Sequence, residues 1–265
     1  MNARMPLTLE SVLTQITLIQ VVLLFRKGMG FAQLNTTGWA MTYLVWDEDS
    51  KKATLVDPVF DFIEDYLQVL ESRGLTLAYA IATHTHADHI TACFTLKERL
   101  GCEYVMWHST SCLGVTTYVD DGEVLEMDGV QFTFHHAPGH TNDSMLIETD
   151  THVMTGDFLF TGKGGVGRDD LPSGRIHVHW TALKVLDRLD GHLVVCTGHD
   201  PPGTEMQSLE WNRRNNPVLN MTTYEEYESW QLEVSAGLGS VSKIKTAVPA
   251  NLFAEIPEHI PWLEE

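Results

Sequence analysis

The sequence predicts an α/β fold in which two β-sheets pack against each other and helices cover their outer faces. The main observation is that strand-like segments are followed by helix-like segments twice along the chain. The 265 residues include 43% hydrophobic residues and seven tryptophans, which is enough for a large buried core. No internal repeat or linker-like segment divides the sequence. We therefore expect one domain that spans residues 1–265.

The first part of the chain alternates between strand-like and helix-like patterns. Phe60, Ile63, Leu67 and Leu70 recur at the spacing of an amphipathic helix, and Gly74 is a typical residue just past a helix end. The predicted elements are strands at residues 39–46 and 53–56, a helix at 60–72, a strand at 77–82, a helix at 90–100 and a strand at 103–107.

The second part of the chain is rich in short strands before it becomes helical. Residues 115–126 fit neither period. The helical pattern runs from about residue 206 to 234, and the tail after it, which holds three prolines, is expected to be irregular. The other predicted elements are strands at 130–135, 144–148 and 153–155, a glycine-rich loop at 162–174, a helix at 176–189 and a strand at 193–196.

The apolar N-terminal segment, residues 12–25, is too short to cross a bilayer and is interrupted by polar residues. No convincing signal-peptide cleavage site follows it. We expect a helix that packs on the rest of the fold.

The composition limits the partners and the compartment. The formal charge is −19, from 36 acidic and 17 basic residues. Such a surface repels nucleic acid and anionic membranes, so neither is an expected partner, and a nuclease is disfavoured. The four cysteines form no CxxC pair. They are expected to be reduced, mostly buried thiols of a cytoplasmic protein, or of a mitochondrial one in a eukaryote.

A histidine motif, Thr-His-Thr-His-Ala-Asp-His, runs from Thr83 to His89 and directly follows a predicted strand. His84 and His86 are two residues apart and therefore point to the same face of a strand, while Asp88 and His89 lie just past its end. Open α/β sheets place their sites at the carboxyl ends of strands, and imidazole with carboxylate suits transition metals. The motif predicts a metal site, the alternative being a cluster of surface histidines.

Three more candidate ligands follow predicted strands, and a glycine precedes each of them. They are His140, Asp157 and His199. Glycine lets the chain turn sharply and brings the backbone close to an ion. One such dipeptide is weak evidence, but all three in this order after the histidine motif predict a single metal centre.

These motifs resemble the signature of the metallo-β-lactamase superfamily, which is HxHxDH followed by Gly-His, Gly-Asp and Gly-His. The resemblance covers roughly residues 38–200. It implies an αββα sandwich with the metal site at one edge, followed by a helical C-terminal part at about 205–265.

Within that superfamily, the chain looks most like the persulfide dioxygenases, the ethylmalonic encephalopathy protein group. One supporting run, Ala-Val-Pro-Ala-Asn at 247–251, lies outside the metal motifs and therefore argues for this group in particular. The other supporting runs are residues 55–59, 83–91, 137–141, 155–159 and 167–170.

The resemblance implies a single Fe(II) held by two histidines and one carboxylate, which here would be His84, His140 and Asp157. The implied reaction is the oxidation of glutathione persulfide by O₂ to sulfite and glutathione, and the implied assembly is a homodimer. The remaining candidates would orient the ligands and carry hydrogen bonds. These are His86, Asp88, His89 and His199.

Arg168 lies in a Gly-Arg-x-Asp element that resembles the group's element for binding a carboxylate of glutathione. A guanidinium suits that task because it binds a carboxylate with two parallel hydrogen bonds. The alternative for Arg168 is a structural salt bridge within its own loop.

Two other functions remain open. A hydrolase of the glyoxalase II kind would use the same ligands to hold two metals, zinc or iron, and attack a thioester with a bridging hydroxide. The ligand inventory does not separate it from the dioxygenase, but the run at 247–251 and the late helices favour the dioxygenase. A metal-stabilised binding module is disfavoured, because the ligand set is complete.

Overall fold

The computed structural model describes residues 28–35, 40–201, 203–238 and 242–263. In these ranges the chain forms eleven strands, six α-helices and several short 3₁₀ turns. The strands are β1 Met29–Leu34, β2 Thr42–Asp47, β3 Lys52–Val56, β4 Thr76–Ile81, β5 Glu103–Trp107, β6 Thr117–Val119, β7 Val124–Met127, β8 Val130–His136, β9 Met145–Glu148, β10 His152–Gly156 and β11 Val194–Thr197. The helices are α1 Ile63–Arg73, α2 Cys93–Leu100, α3 Ile176–Ala182, α4 Leu209–Asn215, α5 Tyr224–Leu238 and α6 Ile244–Phe253.

The strands form two sheets. The first contains six strands in the order β1-β2-β3-β4-β5-β6, and the second contains five in the order β11-β10-β9-β8-β7. Strands β3 to β6 pair in parallel, as does β10 with β11, while the remaining pairs are antiparallel. The parallel strands of both sheets run toward the same edge, where the candidate ligands follow them.

Side chains alternate between two apolar layers on each sheet. In β2, Leu44 and Trp46 pack outward under α1, α2 and α6, whereas Tyr43 and Val45 pack between the sheets. The second sheet repeats the pattern beneath α3, α4 and α5. Because a strand has a side-chain period of two, each sheet buries both faces, one on helices and one on the other sheet. The predicted αββα sandwich is confirmed.

The structure corrects the predicted irregular tail. Helix α6 lies there and contains Pro249, which removes one helical hydrogen bond and is the reason that the sequence favours an irregular segment. Burial of Ala247 and Ala250 against the first sheet and three hydrogen bonds of the Asn251 amide offset that loss.

The long helix predicted at about 206–234 is wrong in its continuity. It is divided into α4, a 3₁₀ turn at Val218–Asn220 and α5. Asn216 adopts an extended conformation, φ −82° and ψ 121°, as expected for the residue before Pro217.

Two other helix boundaries and one strand differ from prediction. The helix predicted at 90–100 begins only at Cys93, because Ile90 and Thr91 hydrogen-bond to the segment after β3. The helix predicted at 176–189 becomes a 3₁₀ turn at Leu183–Arg188. The sequence does not predict strand β1, because glycine weakens a strand and Gly30 lies inside this one. The Trp46 indole packs directly on Gly30, where a Cβ would overlap it.

The N-terminal helix expected at 12–25 lies outside the described residues, as does Trp39 of the predicted first strand. Among the described helices, none has the length and apolar character needed to cross a bilayer. All four cysteines are buried and unpaired as disulfides, as expected.

Candidate metal centre

The candidate ligands converge where strands of both sheets end. His84 follows β4, His140 lies in the loop after β8, Asp157 directly follows β10 and His199 follows β11. The two sheets are joined at this edge by a hydrogen bond from Met145 N to the Thr83 carbonyl. Residues far apart in sequence thus meet because their strands end at one edge.

His84, His140 and Asp157 form one compact group. One ligand atom from each lies within 4.8 Å of the others. Asp157 Oδ2 is 3.5 Å from His140 Nε2 and 4.0 Å from His84 Nε2. The three residues are 2, 4 and 8% exposed in the order His84, His140, Asp157. Two imidazoles and one carboxylate are therefore close together, and all three are buried from solvent.

Hydrogen bonds decide which nitrogen each histidine offers. His140 Nδ1 is 2.7 Å from the Arg168 carbonyl, which only accepts, so Nδ1 carries the proton and Nε2 keeps its lone pair. His84 Nδ1 is 2.9 Å from Thr83 Oγ1, whose own proton is donated to Asp57. His84 Nδ1 must therefore donate, and its Nε2 also faces the group as an acceptor.

The group fits a bound metal ion. Among the described residues, His84 Nε2 and Asp157 Oδ1 are buried side-chain atoms with no hydrogen-bond partner. Burial lowers the pKa of His84 well below its ordinary value, so the ring is neutral, which is the form that binds metals. Buried polar atoms are rarely left unpaired in proteins, and a cation at their centre would satisfy them.

His86, Asp88 and His89 form a second group, with one ligand atom each within 4.8 Å of the others. His86 Nε2 is 3.1 Å from Asp57 Oδ1, which leaves its buried Nδ1 pointing elsewhere without a partner in the described chain. His89 Nδ1 is 3.0 Å from Asp88 Oδ2, and its Nε2 is likewise buried and unpartnered. The residues needed for a second metal are thus also assembled.

His199 lies between the two groups. Its Nε2 is 3.2 Å from Asp88 Oδ2 and 3.6 Å from Asp157 Oδ2. Its side chain is 23% exposed, more than either imidazole of the first group. All of the predicted site residues are therefore brought to one place, with His199 on its solvent side.

Asp57 is a functional residue that the sequence reasoning missed. Its carboxylate accepts hydrogen bonds from Thr83 N and Thr83 Oγ1, both at 2.7 Å, and pairs with His86. It adopts a left-handed conformation, φ 51°, which aspartate tolerates better than most residues other than glycine and asparagine. The available signal was an acidic residue directly after β3, at the same edge of the sheet.

Asn251 of α6 is a second missed residue. Its Nδ2 donates to the carbonyls of His86 (3.0 Å) and His89 (2.9 Å), and its Oδ1 accepts from Thr91 N (2.9 Å). The amide thus holds the backbone of the histidine loop from more than 150 residues away in sequence. The run at 247–251 was recognised as part of the resemblance, but nothing local in it indicates this contact.

Glycine is required at two positions next to the ligands. Gly156 has φ 48°, and a Cβ there would overlap Thr83 Oγ1 and press on His84 Nδ1. A Cβ on Gly198 would overlap Asp157 Oδ1. Any larger residue would displace a candidate ligand or its hydrogen-bond partner.

A cavity of about 440 Å³ opens on the first group. Its apolar side chains are Ala87, Phe160, Leu171, Pro201 and Leu238. Among the described residues that line it, Arg168 is the only lysine or arginine.

The structure places the Arg168 side chain in the salt bridge that was the alternative for it. Nε and Nη2 donate to the two oxygens of Asp170 at 2.6 and 2.7 Å. The hydrogen bonds between these two side chains are the main reason that the pKa of Arg168 is raised and that of Asp170 is lowered. Arg168 nevertheless borders the cavity.

Comparison with known proteins identifies the family of this chain. The model of the metallo-beta-lactamase superfamily matches residues 40–113 and 113–199. The mitochondrial persulfide dioxygenase ETHE1 of Homo sapiens is 32% identical over 216 residues, which covers 80% of this chain and 82% of that protein. The hydroxyacylglutathione hydrolase GloC of Haemophilus influenzae is 31% identical over 203 residues, covering 67% of this chain and 91% of that protein.

Solved structures give the same result. The crystal structure of ETHE1 from Myxococcus xanthus superposes with a TM-score of 0.78 at 32% identity, covering 84% of this chain and 98% of that one. The chain therefore belongs to the metallo-β-lactamase superfamily, and within it resembles the persulfide dioxygenases over most of its length.

Proposed function

We propose that this protein is an iron-dependent persulfide dioxygenase that oxidises glutathione persulfide with O₂ to sulfite and glutathione. The observation that carries the proposal is the buried group of His84, His140 and Asp157 beside an apolar cavity. Two histidines and one carboxylate with open positions are the ligand set of non-haem Fe(II) oxygenases. Similarity to ETHE1 over 80% of the chain supports the same conclusion.

The reaction balances with one persulfide, one O₂ and one water, which give one thiol and one sulfurous acid. The sulfur–sulfur bond breaks, and the two sulfur atoms together lose the four electrons that O₂ takes up. A bound iron would supply the redox chemistry and the template on which persulfide and O₂ meet.

The chain's own residues would prepare that meeting. The Arg168 carbonyl and Thr83 hydroxyl keep His140 and His84 in the tautomer whose Nε2 faces the centre. Phe160 and Leu171 give the cavity apolar walls that exclude water from the reacting sulfur. Asp88 and His199, at the solvent side, would pass the proton that the glutathione sulfur takes up as the thiol forms and accept the protons that the sulfurous acid releases.

Arg168 is the residue that we propose recognises a carboxylate of glutathione. It is the cation that borders the cavity, in a protein whose net charge of −19 repels an anionic substrate. Asp170 fixes its rotamer through Nε and Nη2, and Nη1 remains for a substrate oxygen.

We also propose a homodimer, for which the exposed Leu232 and Leu238 of α5 offer apolar contact surface.

The compartment is a proposal as well. Four buried cysteines without a disulfide fit a reducing compartment. We propose the cytoplasm, or the mitochondrion if the source is a eukaryote, since the similar ETHE1 proteins are named as mitochondrial.

A dinuclear thioester hydrolase is the second candidate. The second group, His86, Asp88 and His89, favours it because it offers ligands for another metal, zinc or iron. Similarity to GloC also favours it, although that match covers less of this chain than the match to ETHE1.

Metal analysis of anaerobically purified protein, combined with O₂ uptake, separates the two. The dioxygenase predicts about one iron per chain and O₂ consumption with glutathione persulfide, with sulfite as product. About two metals per chain, with thioester cleavage and no O₂ uptake, would establish the hydrolase instead.

A further inference from the structure

Four buried polar side chains form a hydrogen-bonded cluster next to the segments that carry His140 and Asp157. We call them the His179 cluster: His179 of α3, Asp169 of the glycine-rich loop, and Tyr227 and Gln231 of α5. Each is 3% exposed or less. The Asp169 carboxylate contacts His179 Nδ1 at 2.7 Å and accepts from the Tyr227 hydroxyl at 2.8 Å. Gln231 Nε2 donates to the same hydroxyl oxygen at 2.9 Å.

The cluster contacts the segments that carry two of the three ligands of the first group, His140 and Asp157. His179 Nε2 donates to the carbonyl of Phe158, the neighbour of Asp157, at 3.0 Å. Gln231 Nε2 donates to the carbonyl of Gly167 at 2.9 Å, and Gly167 N in turn donates to the Asp157 carbonyl. His179 also packs so closely on Gly139, next to His140, that a Cβ on this glycine would overlap it.

The Arg168 carbonyl lies between two residues that the cluster holds. Gly167 before it is bound by Gln231, and Asp169 after it is bound by His179 and Tyr227. This carbonyl is the acceptor that fixes the tautomer and the orientation of the His140 ring. A shift of the 167–169 backbone would therefore be passed directly to a candidate metal ligand.

The direction of the Tyr227 hydrogen bond is well defined. Burial, and next the Asp169 carboxylate, raise the pKa of Tyr227, so the hydroxyl keeps its proton and donates it to Asp169. A buried carboxylate needs such donors, since an unpaired one is strongly destabilised. The network is costly to keep buried, and its contacts beside two ligands suggest a role beyond general packing.

We propose that the His179 cluster positions His140 and Asp157, so that helix α5 sets the geometry of the metal centre. The proposal rests on the metal site of the proposed function but not on the reaction performed there. Tyr227 and Gln231 lie outside residues 40–199, which the superfamily model matches. The positioning would thus be a feature of this chain's C-terminal part.

The test is Co(II) binding by the full-length protein, measured by competition with a chelator and by the visible absorption spectrum. Tyr227→Phe keeps the buried ring and removes the hydroxyl, which donates to Asp169 and accepts from Gln231. We expect about a tenfold weaker Co(II) affinity, the low end of the range for groups around a ligand, with shifted visible bands. Gln231→Met should act in the same direction and serves as the test if Tyr227→Phe does not fold.

The matched control is Tyr104→Phe, which removes an equally buried hydroxyl that contacts Met106 Sδ in β5. It should leave Co(II) affinity and spectrum unchanged. The double variant Tyr227→Phe/Gln231→Met should bind Co(II) about as weakly as the weaker single variant, because both act through one carbonyl.

Lower thermal stability of the Tyr227 and Gln231 variants with unchanged Co(II) affinity and spectrum would overturn the proposal and leave the cluster a folding element. Equal losses in the Tyr104 control would overturn it too. Absence of O₂ uptake by the wild type would instead refute the proposed function and leave the Co(II) comparison valid.

Discussion

The two groups of candidate ligands are assembled in different ways. His84, His140 and Asp157 come from strand ends in both sheets and are all nearly buried. The second group, His86, Asp88 and His89, comes from one loop of the first sheet, and the Asp88 side chain is 34% exposed. The first group thus forms only when segments remote in sequence pack together and bury it. The second group lies on a single loop that is partly exposed to solvent.

The partners behind the two groups also differ. The histidines of the first group donate to a hydroxyl and a carbonyl, and burial lowers the pKa of His84. In the second group, burial acts to lower the pKa of His86, but the carboxylates of Asp57, Asp88 and Asp157 together outweigh it and the pKa is raised. A neutral imidazole binds a metal without first losing a proton. The comparison therefore predicts that the first group binds the more tightly held ion.

The largest expected effect is that of His140→Ala. Loss of one of three ligands should strip the iron from purified protein, beyond the roughly 10–100-fold typical of an outer contact. His89→Ala, in the second group, should retain most of it. His135→Ala is the control, since this histidine pairs with Glu148 on the second sheet. Equal metal loss in His140→Ala and His89→Ala would abolish the distinction between the groups.

Asp57→Asn should come next, because Asp57 supports both groups at once. Asparagine keeps the size and tolerates φ 51°, but its Nδ2 cannot accept the Thr83 hydroxyl proton as Asp57 Oδ2 does, and its neutral amide loses the charge beside His86. Metal affinity should fall roughly 100-fold, the upper end of the range for such contacts, in a chelator competition assay. An affinity unchanged within threefold would show that Asp57 only shapes the turn after β3.

Arg168→Ala should separate substrate binding from metal binding. The His140 contact is to the Arg168 main chain and survives the substitution, so iron content should not change. Loss of a charge-assisted hydrogen bond is worth on the order of 1.5–3 kcal/mol, or about 10–100-fold in KM for glutathione persulfide, with a modest loss in kcat. Inorganic polysulfide carries no carboxylate and should be turned over as before.

The control for Arg168 is Arg175→Ala, in the same loop but bonded to the carbonyls of Pro172 and Gly174. It should leave both KM values unaltered. If Arg168→Ala impairs glutathione persulfide and polysulfide equally, the Arg168–Asp170 salt bridge only stabilises the loop.

His199→Ala should have the smallest effect. The His199 side chain is partly exposed. Its Nε2 lies 3.6 Å from Asp157 Oδ2, farther than the 3.2 Å that separate it from Asp88 Oδ2. Turnover should fall roughly tenfold with most iron retained. Loss of iron comparable with that of His140→Ala would make His199 a direct ligand and the centre dinuclear.

The sequence alone determined the layered fold and the site's location. Strand and helix periods are local properties, so most strands and the first helix were predicted within a few residues. The histidine motif and the Gly-His and Gly-Asp dipeptides follow strands, and strand ends converge at one edge in any such fold. For that reason the sequence alone associates His84, His140, Asp157 and His199.

Only the tertiary structure decided which side chains support those ligands. Asn251 reaches the histidine loop from a helix that Pro249 makes improbable in the sequence, and it is stabilised there by burial and three hydrogen bonds. The Asp169 side chain is buried and hydrogen-bonds to His179 and Tyr227. The next residue, Asp170, instead forms the salt bridge with the Arg168 guanidinium. Such choices depend on distances between segments that are remote in sequence, and local pattern carries no information about them.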